Sequence, residues 1–408
     1  MADMRRKFAK IVVCIWIFAG AGLLTGCWDR REIEDVGFIV GIAVDMAEEG
    51  EQPQAADEAS QEPLAKTKYA VTFQLVNPGG LQQVGRQGGG GGRLKPYWNI
   101  ASEGETMMEI VKYISTRTAR APFFEHMEAV LFSEDVARSE NFHEILDFFV
   151  RFQEMRRNTR VLVAKGKAAS VLDVVPPGIN LPAPYINRII RNMEKSSRII
   201  LESKIGDIYE DMLAGRSFTM LHIEAGKQDS KLLGNAVFSS DKHHMVGVLD
   251  GELVEGRNLI AGEYKTGAIK VSIDDSLATY NIHKASSSVS ILDPSPDHLR
   301  VMITIKTEGD ITESFVDADF SKPSVLGEFE EAAAKEVKRL AQQTVTMCQE
   351  RLHADVIGLG HYISRKHPQL WKAVQQEWEK GRNYFTSAEI VIKTEASIRS
   401  FGVINRRS

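Results

Sequence analysis

Three cysteines, Cys14, Cys27 and Cys348, are spread over 408 residues, and one of them stands where its neighbours prepare it for a reaction. They are too few and too scattered for a disulfide framework or a metal knuckle, both of which need paired or clustered thiols. Cys14 lies inside an apolar run. Cys348 falls on the stripe Phe329, Ala333, Val337, Leu340, Thr344, Cys348, which steps by three or four, so the thiol packs there as a small hydrophobe. Cys27 instead closes the tetrapeptide Leu24-Thr25-Gly26-Cys27, whose small residues leave the backbone open to a peptidase. The chemistry this arrangement suits is acylation of the Cys27 sulfur, with cleavage of the chain just before it.

Other candidates for chemistry lack convergence. Catalysis needs a nucleophile beside a base, paired carboxylates, or ligands spaced for one ion. There is no His-Glu-x-x-His, Gly-x-Ser-x-Gly, Walker loop, Gly-x-Gly-x-x-Gly after a strand, or Cys-x-x-Cys. The ten histidines are scattered singly apart from His243-His244, and neighbours in a turn need not converge on one metal. Trp371 and Trp378 stand seven apart on a helix and read as core, with an aromatic platform for a ligand as the alternative. Arg151, Arg156, Arg157 and Arg160 form the densest basic patch, read as a solvated face or a contact for an acidic partner. The five glycines at 88–92 lack the strand, helix and Gly-Lys-Ser/Thr ending of a phosphate loop. The reading is a non-enzyme with no catalytic residues, metal or cofactor.

The elements that position Cys27 are at the N-terminus. Arg5, Arg6, Lys7 and Lys10 precede an apolar run from Ile11 to Leu24, the layout of an export leader. The run has 14 residues, and a membrane-spanning helix needs about 20, so residues 1–26 read as a leader and not as a permanent span. The basic head stays cytoplasmic and the body crosses the membrane. Leu24-Thr25-Gly26-Cys27 resembles the lipobox of bacterial lipoproteins, which places the body on the outer face of the cytoplasmic membrane. Removing residues 1–26 takes away four bases and one acid and changes the formal charge from −5 to −8. That charge excludes nucleic acid as a partner and makes lipid head groups repulsive, so the anchor has to be hydrophobic. Two acyl chains suffice, at about 0.8 kcal/mol per buried methylene.

Downstream, Val36–Val44 is a continuous apolar strand and Tyr69–Val76 alternates, which makes a strand pair. Residues 48–66 and 77–96 read as mobile loops. Ser102-Glu103-Gly104-Glu105 has capping-box spacing ahead of the face Met107, Ile110, Val111, Ile114. Phe142, Ile145, Leu146 and Phe149 make another amphipathic helix, followed by a strand at Thr159–Ala164. Prolines 176, 177, 182 and 184 mark a boundary. From Phe218 short strands cluster: 235–239, 245–249, 267–273, 287–292 and 299–307 predict an antiparallel sheet, packed by a long helix over Leu326–Leu352 and closed by a strand at 389–398. The expected fold is multi-domain α+β, with 27–215 as an N-terminal region dividing near 150–180 and 216–408 as a C-terminal domain.

Several segments in order resemble the Ger(x)C lipoproteins, the C subunits of nutrient germinant receptors in endospore formers. They are Cys27-Trp28-Asp29-Arg30-Arg31-Glu32, Gly104-Glu105-Thr106, His126, the 146–164 stretch, Gly234-Asn235-Ala236-Val237-Phe238, Met245-Val246-Gly247, and Asp355-Val356-Ile357-Gly358-Leu359-Gly360 with Pro368 and Trp371. The resemblance implies a three-domain mixed fold on the outer leaflet of the spore's inner membrane, associated with polytopic A and B subunits of a receptor for amino acids or sugars. It does not imply small-molecule binding by this chain itself. Cys27 is the acyl acceptor under this resemblance, and Trp28 would sit at head-group level. The competing readings are a solute-binding lipoprotein of a transporter, which would show two lobes of alternating strands and helices, and an extracytoplasmic enzyme.

Overall fold

A computed structural model describes Met4 and residues 36–48, 67–83, 94–193, 197–200, 203–316 and 322–401. Cys27 with the leader and the Trp28–Glu32 motif, loop residues 49–66, and 84–93 with the glycine run lie outside the described residues.

Strand β1 (Val36–Met46) is apolar and buried on both faces, as its unbroken Val/Ile/Ala run requires. On one side it pairs antiparallel with β2 (Tyr69–Val76), which pairs antiparallel with β3 (Tyr97–Gly104). On the other side it runs parallel to β5 (Ala129–Ser133), and its first residues pair with β4 (Ala121–Phe123). The parallel run continues through β6 (Arg160–Lys165) to β7 (Phe218–Ala225). Then β8 (Ser230–Phe238) and β9 (Met245–Asp250) finish the sheet antiparallel, giving the order β3-β2-β1-β5-β6-β7-β8-β9. A parallel centre of this kind must be covered on both faces. One face carries α2 (Met107–Arg117), α4 (Phe142–Arg151) and α7 (Ile205–Leu213), whose apolar residues join Phe73, Phe132 and Phe238. The other carries α5 (Ala168–Val171) and α6 (Pro182–Met193) over Ala43, Leu131 and Leu221. Helix α6 comes so close at Gly41 that a Cβ there would lie 2.9 Å from the Ala183 methyl.

The second sheet is β10 (Gly267–Ile273), β11 (Ser276–Asp293), β12 (Arg300–Ser314) and β13 (Glu389–Ser400). Asp274 and Asp275, both at positive φ, make the two-residue turn between β10 and β11. Between the sheets lies α8 (Gly251–Ala261), buried from Val254 to Ile260, and α9 (Pro323–Thr346) covers the second sheet. A π-turn at Met347–Leu352 ends α9, and α10 (Leu359–Lys366) and α11 (Pro368–Val374) follow.

Several expectations change in the structure. Strands 235–239 and 245–249 belong to the first sheet, not to the C-terminal one, so the expected division at 215/216 falls inside a continuous sheet that ends at Asp250. That sheet also runs without a break through both sides of 150–180. The C-terminal sheet is antiparallel over β10–β12, but β13 joins it parallel, because the chain returns through helices to the end where β12 began. Residues 78–83 of the expected loop form a helical turn, α1. The cap of α2 is one box further on than read. Thr106 Oγ1 accepts from Glu109 N at 3.3 Å and Glu109 Oε2 accepts from Glu105 N at 3.0 Å, while 102–104 remain strand.

Helix α8 crosses α9 closely at Gly256. A Cβ at Gly256 would run into the Leu340 carbonyl and the Thr344 hydroxyl, which itself donates to the Leu253 carbonyl at 2.9 Å. Gly256→Ala forces the two helices apart and is predicted to cost about 1–3 kcal/mol. Urea unfolding reads this as a lowered midpoint with an unchanged slope; an unchanged midpoint would refute the close crossing.

Candidate functional site

Between the two sheets opens a cleft of about 1240 Å³. Charged side chains of both signs line it. Asp207, Glu210 and Asp211 come from α7, and His361, Arg365 and Lys366 from α10, with Trp371 of α11 beside them. Glu210 pairs with Arg157 at 3.7 Å and Asp211 with Arg216 at 2.7 Å. Burial raises the Asp211 carboxyl above its ordinary range, against the pull of Arg216.

At the bottom of the cleft are two carboxylates, the half-buried Asp355 and the buried Glu379. Asp355 caps the start of α10. Its Oδ1 accepts from Gly358 N and Leu359 N, both at 3.0 Å, and its Oδ2 from Gly360 N at 2.5 Å and Trp378 Nε1 at 2.9 Å. The local sequence allows this. Gly358 takes positive φ at the cap, and a Cβ at Gly360 would lie 2.6 Å from the Trp378 indole nitrogen. Glu379 reaches across to the first sheet. Its Oε1 accepts from Asp355 N at 2.5 Å and from the Ser217 hydroxyl, and its Oε2 from the Ser240 hydroxyl at 2.8 Å and Ser217 N at 3.4 Å. Ser217 stands just before β7 and Ser240 just after β8, so this one side chain ties the end of the first sheet to the helical segment of the C-terminal half. Burial pushes both carboxyls above their ordinary range; the hydrogen-bond donors pull them back only in part.

Every oxygen of the pair already holds two donors. Such carboxylates have no lone pair directed at a substrate, and their chemistry is structural rather than acid–base. Beside them Arg257 Nε donates to the Val356 carbonyl at 2.9 Å. The segment at 197–200 is clamped from both sides. Asn235 Nδ2 and Oδ1 take the carbonyl and N–H of Ile200, and Asn258 Nδ2 donates to the carbonyls of Ser197 and Ile199.

The residues singled out in the sequence fall as follows. Cys348 is fully buried and burial pushes its thiol up, which removes it from thiolate chemistry. Trp371 and Trp378 meet edge to face at 5.7 Å; Trp378 is core and serves Asp355, while Trp371 is half-buried at the cleft. His243 takes positive φ in its turn and packs its ring 5.3 Å from His143. Among the described residues no group of three or more His, Cys, Asp or Glu is placed to hold a metal. The arginines spread out: Arg151 pairs with Asp147 of its own helix at 2.5 Å, and Arg156, in the loop before β6, pairs with Glu125 at 3.9 Å. His126 is exposed against Phe38 and Phe123. Glu379 was not legible, because its partners lie 24 to 162 residues away. For Asp355 there was a signal: an aspartate three residues before Gly-x at a helix start is a cap.

A family model described as the spore germination protein N-terminal domain matches residues 29–225, and one described as spore germination B3/GerAC-like, C-terminal, matches 233–402. The chain belongs to the GerAC-like spore germination proteins. Spore germination protein YndF of Bacillus subtilis (strain 168) is 30% identical over 404 residues, 98% of each chain. Spore germination proteins B3 and KC of the same organism are each 24% identical, over 94% and 97% of this chain and 96% and 97% of theirs. The crystal structure of the GerBC protein superposes with a TM-score of 0.57 at 20% identity, covering 83% of this chain and 95% of that one, a likeness of fold. The mixed α+β architecture of this family is the one expected from the sequence. The junction between the two family models, residues 226–232, covers the β7–β8 turn and the first residues of β8, and so falls inside the first sheet.

In this family member the carboxylate pair has a testable pH signature. A carboxyl raised in the folded state holds a proton that the unfolded chain has released, so its contribution to stability is complete below the ordinary value of 4.5 for Glu379 and is lost as pH rises through the raised value. Glu379→Gln keeps an acceptor and loses the charge, so its stability relative to wild type is predicted to improve as pH climbs from acid to neutral. Glu379→Ala, which leaves the Ser217, Ser240 and Asp355 donors without their acceptor, is predicted to cost roughly 1–3 kcal/mol. Denaturation of the three proteins across pH checks both signs.

Proposed function

We propose that the chain is the lipid-anchored C subunit of a nutrient germinant receptor. It is held through Cys27 on the outer face of the cytoplasmic membrane, the spore's inner membrane, and works by assembling with the polytopic A and B subunits rather than by catalysis. The observation that carries this reading is the end-to-end match. Both family models and curated germination proteins align over nearly the whole chain. The saturated hydrogen bonding of Asp355 and Glu379 supports a scaffold role. Among the described residues no helix is long and apolar enough to cross a membrane, and acylation of Cys27 supplies attachment in this reading.

Spores lacking the gene are predicted to lose the response to one class of nutrient while germinating normally on others; an unaltered response to every nutrient would contradict the receptor role. Cys27→Ala is predicted to leave thermal unfolding of the body unchanged and to move the protein from the membrane pellet to the supernatant. Retention in the pellet would remove the acyl anchor from the account. Titration calorimetry of residues 28–408 with amino acids and sugars separates a receptor scaffold from solute capture, and the scaffold predicts no micromolar binding to the isolated body.

A further inference from the structure

The end of the first sheet where the chain enters carries an apolar and basic rim. Val36, the first residue of β1, pairs with Ala121 of β4, and Phe38 packs edge to face on Phe123 at 5.8 Å. On the other side Ile39 is opposite Leu75, and Leu75 is opposite Trp98 of β3. A Cβ at Gly37 would touch both Leu75 and Arg120, so Arg120 belongs to the same end. Asn77 closes it by bonding the carbonyls of Lys95 and Pro96. On this rim Trp98 is 50% exposed and Leu94 52% exposed, with Lys95 and Arg120 exposed beside them. Of the nearby acids, Glu125 pairs with Arg156, and Asp173 accepts from Asn99 Nδ2 at 2.8 Å and keeps its charge, which Lys95 and Arg120 together outweigh.

We infer that this rim, centred on Trp98 with Leu94, Lys95 and Arg120, rests on the lipid surface. The inference depends on the Cys27 anchor proposed above and adds the orientation of the body. Val36 is nine residues from Cys27, and nine residues reach about 30 Å at full extension, so the entering end of the sheet is confined near the bilayer. A half-exposed tryptophan is favoured at the head-group level, where its ring is amphipathic. Charge points the same way. The mature body is acidic at −8 and is repelled by anionic lipid, and a rim bearing Lys95 and Arg120 is the orientation that reduces the repulsion.

The test uses the full acylated chain, purified from membranes and reconstituted in phosphatidylglycerol/phosphatidylcholine vesicles. Trp98→Cys is labelled with an environment-sensitive fluorophore; Cys27 is blocked by lipid and Cys348 is buried, so labelling is at one site. Lys227→Cys, exposed at the opposite end of the same sheet, is the reference. Expected is a blue-shifted emission at 98 that nitroxide lipids largely quench, with neither effect at 227. Protein in the vesicle pellet whose labels at 98 and 227 behave alike overturns the orientation and leaves the anchor standing. A blue shift at 98 without nitroxide quenching means a second copy covers the rim, and also overturns it. Protein left in the supernatant overturns the anchor and the orientation together.

Discussion

Two hydrogen-bonded carboxylates at the bottom of the cleft hold the halves of this molecule in register. Glu379 takes its hydrogen bonds from Ser217 and Ser240 at the edge of the first sheet and from the backbone of Asp355 in the second half. Asp355 in turn fixes the start of α10 and the indole of Trp378. Removing such groups from water is unfavourable, and the two donors on every oxygen offset that cost in part. A shift of one half against the other strands several buried donors at once, so the walls of the cleft are positioned by this pair rather than by the surface ion pairs above it. Exposed pairs such as Arg157 with Glu210 contribute little by comparison.

That constraint suits the assembly role proposed for the chain. A subunit that works by contact has to present its surfaces in a fixed relation, and α8, buried between the sheets, together with the clamped 197–200 segment, supplies the rest of the rigidity. The same logic explains why the chemistry-bearing residues inside the protein are consumed internally. Cys348 fills core, Trp378 serves a carboxylate, and Asn235 and Asn258 spend their amides on backbone groups.

The elements governed by local pattern were legible in the sequence. The unbroken apolar run of β1, the alternation of β2, the stripe of α4 and the long stripe of α9 each contain their own periodicity. The pairing of strands was not, because it depends on partners far apart. β5, β6 and β7 are short apolar runs that look alike whether parallel or antiparallel, and β8 and β9 carry no mark of which sheet they join. Gln74 shows the same limit: its place in an alternating strand suggests a solvated side chain, yet it is fully buried and bonds Leu172, Asn99 and Ala183 under α6. The first half of β11 was missed because its alternating residues Ala278, Tyr280 and Ile282 follow a turn of two aspartates, without the glycine that usually announces a hairpin. Of the site, the Asp355 cap had a local signature and Glu379 had none.

The most direct test of the account is affinity purification of the tagged chain from detergent-solubilised spore inner membranes, with mass spectrometry of what accompanies it. Recovery of two polytopic membrane proteins in fixed proportion, with Cys27 acylated as the first residue, is the predicted result. A chain recovered alone, with Cys27 unmodified and the leader attached, would contradict it.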